Sequence, residues 1–390
     1  MNTAPHTPAR KPRSNNTVRR ASLATLAATL ALTLLTTGCT ATNPYFDPTK
    51  PHHRPDGFAN RFAPEGPPGQ GDFWRWQWER LWATEAPNAP DQIGIATPDT
   101  AYLRTNRQDV TATWLGHSTV LWQIHGFNIL TDPHFGQRAS PVGFAGPKRH
   151  VPLPMTLGEL PRIDLVLISH NHYDHLDRDT VLALNAQPSG PPLFVVPLGV
   201  DLWMQQEGIT RVQRMDWGDR HTMAPASGHD NHTGKGEALT VEFVPVQHWS
   251  SRTPWDRNAT LWGGYVVSAP VNGQPYRLFF AGDTGYSADF KDLGQRFGGF
   301  DFSAIPVGCY EPRWFMDKQH VNEDDAVRIH QDVKSKLSMG IHWGTFRLCD
   351  EPIQAPLQGL PKARAQHGVA DDAFVLFQLG ETRVLKKVRP

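Results

Sequence analysis

The stretch Val166–Asp177, "VLISHNHYDHLD", constrains the fold more than any other part of the chain. An apolar run ends at Ser169, and His170, His172, Asp174, His175 and Asp177 follow at once. Such a cluster is costly to bury, because its cationic forms repel and every polar atom needs a partner. A divalent metal resolves both problems: imidazole nitrogen and carboxylate oxygen are zinc ligands at about 2.0–2.2 Å. The stretch therefore reads as a buried strand delivering a ligand loop. The reading it displaces is a surface histidine cluster satisfied by solvent.

One loop does not complete two metal sites, so partners are expected at other strand ends. "VPVQHWS" offers His248, "LFFAGDTGY" offers Asp283 and "SMGIHWGTF" offers His342, each after an apolar strand. The expected sets are His170, His172 and His248 for a first zinc and Asp174, His175 and His342 for a second, with Asp283 bridging.

The rest of the chain supplies strands of the right kind. "VTATWLG", "STVLWQI" and "FNILTD" alternate, while "IDLVLIS" and "PPLFVVP" are continuous apolar runs. "LTVEFVPVQH", "LWGGYVVSA" and "YRLFFAGD" follow; "LDRDTVLALN" and "NEDDAVRIHQDV" have helical spacing, the latter with Asn322 as N-cap. Two runs of strands, each followed by helices, predict an α/β (α+β) protein built as a four-layer αββα sandwich. Hydrophobic content of 39% suits a globular core, and a formal net charge of +0 gives no sign of nucleic-acid binding. Three cysteines, Cys39, Cys309 and Cys349, are read as making no disulfide framework. His229 and His232 fall in a glycine-rich polar insertion and are read as solvated.

Longer motifs carry a family resemblance. "TWLGHSTV", "LTDPHF", "ASPVGFAGPKR", "QHWSSRT", "YEPRWFM", "QHVNEDD" and "SMGIHWGTF" occur in order with the His-x-His-x-Asp-His loop. Together they resemble the N-acylphosphatidylethanolamine-hydrolysing phospholipase D family of the metallo-β-lactamase superfamily, over roughly Thr111 to Glu381. The resemblance implies the metallo-β-lactamase fold, the same seven ligands, and a homodimer. It implies substrate contact by Tyr173, and a substrate-binding or catalytic role for His320. Asp132 and His117 match the family as well, and both are read as residues that orient ligands or hold the strands, a plain core role being the alternative for His117. The sequence departs from the family after "QHW", where Ser251 precedes Arg252, and around Val142-Gly143-Phe144.

The N-terminus reads as a targeting segment. Arg10, Lys11, Arg13, Arg19 and Arg20 precede an apolar stretch that ends in "LTTGC" at Cys39. This resembles a bacterial lipoprotein signal with Cys39 lipidated, although Thr36 stands where leucine is usual; an ordinary secretory signal or an uncleaved anchor is the alternative. The expected organisation is a signal over 1–39, a Pro/Gly-rich tether over 40–71, an aromatic extension over 72–105 and the catalytic domain over 106–390. The expected place is the cell envelope, as a membrane-anchored lipoprotein on the periplasmic or outer-membrane side. Trp74, Trp78 and Trp82 share one helical face, expected to pack on the core, with contact to a membrane surface as the alternative.

The chemistry follows from ligands and resemblance together. Two zinc ions, or iron or manganese in their place, would activate water and take up a phosphate oxygen. The expected reaction is hydrolysis of N-acylphosphatidylethanolamine, or a related glycerophospholipid, to N-acylethanolamine and phosphatidic acid. Asp174, Asp283 and His320 are the expected catalytic residues, with a phospholipid and its membrane surface as partners. The alternatives are a hydrolase of another ester, lactone or β-lactam on the same site, and an envelope lipoprotein in which zinc is only structural.

Overall fold

Alternation along the strands sorts the core into layers. Leu165 and Leu167 enter a cluster shared with Phe243, Tyr265 and Phe280. Val166 and Ile168, one residue out of phase, pack with Val181, Leu184 and Met204 of two helices. The computed structural model describes residues 42–66, 68–83, 87–224 and 238–388; Cys39, His229 and His232 lie outside them.

The described residues open with a short antiparallel pair, β1 (His53–Arg54) and β2 (Gly57–Phe58). Among the described residues two seven-stranded sheets form the centre. The first comprises β3 (Val110–Gly116), β4 (Thr119–Ile124), β5 (Phe127–Thr131), β6 (Leu165–Leu167), β7 (Leu193–Pro197), β8 (Val212–Met215) and the late strand β16 (Thr382–Lys386), in the order β16-β3-β4-β5-β6-β7-β8. The second comprises β9 (Arg220–Met223), β10 (Leu239–Val244), β11 (Gly264–Val271), β12 (Gln274–Phe280), β13 (Phe302–Pro306), β14 (Ser338–Ile341) and β15 (Phe374–Val375), in the order β15-β14-β13-β12-β11-β10-β9. Each sheet has an antiparallel half and a parallel half; the parallel runs are β5-β6-β7-β8 and β12-β13-β14-β15. Helices Arg178–Asn185 and Val200–Gln206 cover the first sheet. Helices Asp289–Phe297 and Glu323–Asp332 contribute Phe290, Leu293, Val327 and Ile329 to the core beside the second. Asn322 caps the latter as expected, its Oδ1 accepting from the Asp325 amide at 3.0 Å.

Three expectations are corrected. The tether over 40–71 does not hang free where it is described. His52 and His53 are buried, with Nε2 atoms 2.7 and 2.9 Å from the two oxygens of Asp216, which also binds Lys50. Phe58 enters the main core, and Thr42–Pro390 forms one compact unit. Its Pro/Gly composition is that of a linker, but its histidines and asparagines find buried partners. The aromatic face is not packed: Trp74, Trp78 and Trp82 are 68%, 63% and 75% exposed. The helix Gln70–Arg80 carries Trp74 and Trp78 and ends two residues before Trp82; its anchor is Trp76, which stacks on Phe315 at 5.1 Å and donates from Nε1 to Asp350 at 2.9 Å. Finally, Cys309 and Cys349 form a disulfide across Cα atoms 4.8 Å apart. They are far apart in sequence but follow β13 and β14, which are paired neighbours. Among the described residues no helix is long and apolar enough to cross a membrane.

Candidate metal centre

All the expected ligands lie beyond the C-terminal ends of strands, where open parallel sheets collect their functional loops. The loop after β6 carries His170, His172, Asp174 and His175; Asp132 follows β5, His248 follows β10, Asp283 follows β12 and His342 follows β14. Tight turns aim several of them: Asp132 and His342 have φ of 32° and 61°, and Gly282, at 62°, precedes Asp283.

The structure brings the seven together in two overlapping groups. Ligand atoms of His170, His172 and His248 converge, with His170 Nε2 2.8 Å and His248 Nε2 3.3 Å from His172 Nδ1. Asp174 Oδ2 lies 3.1 Å from His175 Nε2 and 3.2 Å from His342 Nε2. Asp283 Oδ2 stands between the groups, 3.1 Å from His175 Nε2, 3.0 Å from His342 Nε2 and 3.9 Å from His248 Nε2.

The outward-facing nitrogens of His170, His175, His248 and His342 are tied down, which leaves their inward ones as acceptors of a cation; His172 Nε2 has no such partner among the described residues. His175 Nδ1 donates to Asp132 at 2.7 Å, and Ser169 Oγ, itself bonded to Asp132, accepts from His170 Nδ1 at 2.8 Å. His248 Nδ1 donates to the Gln319 carbonyl at 2.8 Å, and His342 Nδ1 to that of Gly308 at 3.3 Å. Asn60, from the supposed tether, brackets His248 by bonding both its amide and its carbonyl. His117 Nε2 donates to Asp174 Oδ2 at 2.9 Å, so it touches a ligand directly and sits in the same cluster as Asp174, His175 and His342.

The electrostatics are those of a cation site. Burial, reinforced by neighbouring imidazoles, drives His170 well below its ordinary value and His172 to about 3; burial takes His248 to about 4. These rings are neutral, as metal ligands must be. Burial opposes charge at His342 too, but Asp283 and Asp174 outweigh it and lift this ring to about 9; His175 is likewise held well above the usual range. Two buried carboxylates thus demand positive charge between them. Asp283 Oδ1 is buried with no hydrogen-bond partner among the described residues. The donor set fits divalent metal.

His320 lies against this centre, its ring 5.2 Å from that of His248 and its Nδ1 3.9 Å from Asp283 Oδ2. Burial pushes it well below the usual imidazole value despite Asp283, so it is neutral at pH 7. Tyr173 leans outward, its hydroxyl donating to the Arg252 carbonyl at 3.0 Å. His172, Tyr173, Asp174, Asp283 and His320 form the floor of a cavity of about 430 Å³. Its walls combine Phe73, Trp76, Trp249, Pro254, Phe315, Met316 and the disulfide with the polar Ser251, Thr253, Arg257 and Gln319. Trp76 and the disulfide were not legible as site residues, since neither stands near a ligand motif.

Residues 127–343 match the family model of the beta-lactamase superfamily domain. The isothiocyanate hydrolase from Delia radicum gut bacteria shares the fold at a TM-score of 0.52 and 19% identity, over 70% of this chain and 98% of that one. Two curated relatives are nearer in sequence. N-acyl-phosphatidylethanolamine-hydrolyzing phospholipase D 1 of Caenorhabditis elegans is 40% identical over 279 residues, 69% of this chain and 74% of that protein. The mitochondrial enzyme of that name from Saccharomyces cerevisiae is 33% identical over 272 residues, 69% of this chain and 55% of its own length. The fold and centre are those of a metal-dependent hydrolase of the metallo-β-lactamase superfamily. Within it, the chain belongs to the N-acylphosphatidylethanolamine-hydrolysing phospholipase D family.

Proposed function

We propose that this hydrolase cleaves N-acylphosphatidylethanolamine, or a closely related glycerophospholipid, at the phosphodiester bond to the N-acylethanolamine, leaving phosphatidic acid. The observation that carries the reading is one cavity lined by carboxylates and imidazoles together with many aromatic and other apolar side chains. A charged phosphodiester and an apolar chain would both find partners in that one cavity. The names of the worm and yeast relatives support the same substrate.

His170, His172 and His248 would hold one zinc ion, Asp174, His175 and His342 a second, and Asp283 both. Such a pair supplies Lewis-acid charge and lowers the pKa of water toward 7. The chain's own groups do the rest. Asp132, Ser169 and the carbonyls of Gln319 and Gly308 keep the imidazoles of His175, His170, His248 and His342 in the ligand tautomer. His320, neutral and facing the cavity, donates a hydrogen bond to the departing alkoxide oxygen. Tyr173, at the cavity floor, lines the path of the headgroup. The exposed side chains of Trp74, Trp78, Leu81 and Trp82 would rest on the lipid surface, since Phe73 and Trp76 of the adjoining helix line the cavity.

The test is mass spectrometry of lipids after incubation with zinc-loaded protein, with Asp283→Asn as the inactive control. Release of N-acylethanolamine and phosphatidic acid by wild type alone supports the reading. Turnover of lactones or β-lactams, with intact phospholipid throughout, would replace it.

A further inference from the structure

The loop that carries four of the seven ligands has no regular secondary structure between its ends, and few bonds of its own. The amides of His175 and Leu176 donate to the His172 carbonyl at 3.1 and 2.9 Å. The carbonyls of Asn171 and Leu176, near its two ends, are both taken by one group: Arg252 Nη1 lies 2.9 Å from each. The same guanidinium sits 4.0 Å from the centre of the Tyr173 ring, while the Tyr173 hydroxyl returns a bond to the Arg252 carbonyl. Side chain and main chain of one residue therefore grip the loop at three points.

Arg252 is in turn fixed from behind. The Asp256 carboxylate accepts from the amides of Arg252 and Thr253 at 3.0 and 2.7 Å and from Ser251 Oγ at 3.0 Å. The turn 251–256 is thus closed on itself before it meets the ligand loop. Trp203 bounds the guanidinium at 5.2 Å.

We propose that Arg252 is a positioning residue for the metal centre. By holding the carbonyls of Asn171 and Leu176 at one nitrogen it sets the span of the loop, and so the placement of His170, His172, Asp174 and His175. The proposal rests on the reading of those residues as metal ligands and is independent of which lipid is cleaved. A planar guanidinium suits the task, since it stacks on Tyr173 while donating in fixed directions; a lysine ammonium keeps the charge but loses the plane. An apolar side chain leaves both carbonyls without a donor.

Outer partners of metal ligands typically change metal affinity by about 10–100-fold when lost. The experiment uses Arg252→Met and Arg252→Lys, freed of metal and titrated with zinc against a chromophoric chelator. Thermal melting of the metal-free proteins and the visible spectrum of the cobalt-loaded ones are recorded alongside. The expected result is zinc binding weaker by about 10–100-fold in R252M, an intermediate loss in R252K, and a shifted cobalt spectrum in both. Wild-type zinc affinity and an unchanged cobalt spectrum in both variants would overturn the proposal, even if their melting temperatures fall, because that pattern is a purely structural role. If wild type itself takes up no zinc or cobalt, the ligand reading beneath the proposal is what fails.

Discussion

Asp132 Oδ2 lies 2.7 Å from His175 Nδ1, with both side chains fully buried. The contact fixes which nitrogen of His175 faces Asp283 and Asp174, and Ser169 spreads the same carboxylate to His170. One buried acid thus orients a ligand in each group. Asp132→Ala is expected to lower metal affinity by about 10–100-fold, with both groups affected. Chelator competition with the purified variant measures it; loss confined to one ion would mean that the Ser169 relay is idle.

His320→Ala is expected to keep its full metal content and lose turnover by about 10²–10⁴-fold. Its Nδ1 faces Asp283 Oδ2 at 3.9 Å, beyond hydrogen-bond reach and outside the seven-residue ligand set. Metal analysis beside steady-state rates decides between roles. Lost metal would make His320 a ligand, and an unchanged rate would remove it from the reaction.

The metal-free protein is expected to lose stability as pH rises. Burial opposes a charge on His342, but Asp283 and Asp174 lift it from 6.5 to about 9. A raised folded-state value stabilises fully below the unfolded value and is lost as pH passes through the folded one. The loss therefore falls between about pH 6.5 and 9 and is on the order of 3 kcal/mol. In the metal-loaded protein a cation stands in the proton's place and the dependence should flatten. Melting curves of both forms across this range check it; parallel dependence would place His342 away from the metal.

We infer that Cys39 carries a lipid that holds the chain at a membrane, on the strength of the basic, apolar and "TTGC" segments in that order. Cys39→Ser is expected to move the protein to the soluble fraction of its host and to abolish incorporation of labelled palmitate. Unchanged membrane fractionation, with no label in either form, would mean a spanning segment or a plain signal instead.

The candidate ligand set is legible in the amino-acid sequence because its residues stand where apolar runs stop. A strand has a period of two and a definite end, so "VLIS", "VPVQ", "LFFAG" and "SMGI" announce both a buried element and the point where its loop begins. Histidine and aspartate at those points have few reasons to be there other than metal. The helix after Asn322 is legible for a similar local reason, since cap and spacing are neighbours in sequence. What tertiary structure alone decided depends on which distant groups meet. The Pro-rich segment has the composition of a linker, yet Asp216 takes His52 and His53, and Asn60 closes on His248. Trp74, Trp78 and Trp82 have the spacing of a packed face, but spacing does not say whether anything covers it, and Trp76 is the anchor. Cys309 and Cys349 are partners only because β13 and β14 pair side by side. Local pattern determined the elements and the candidate ligands; burial and long-range pairing, which no local pattern encodes, decided what supports them.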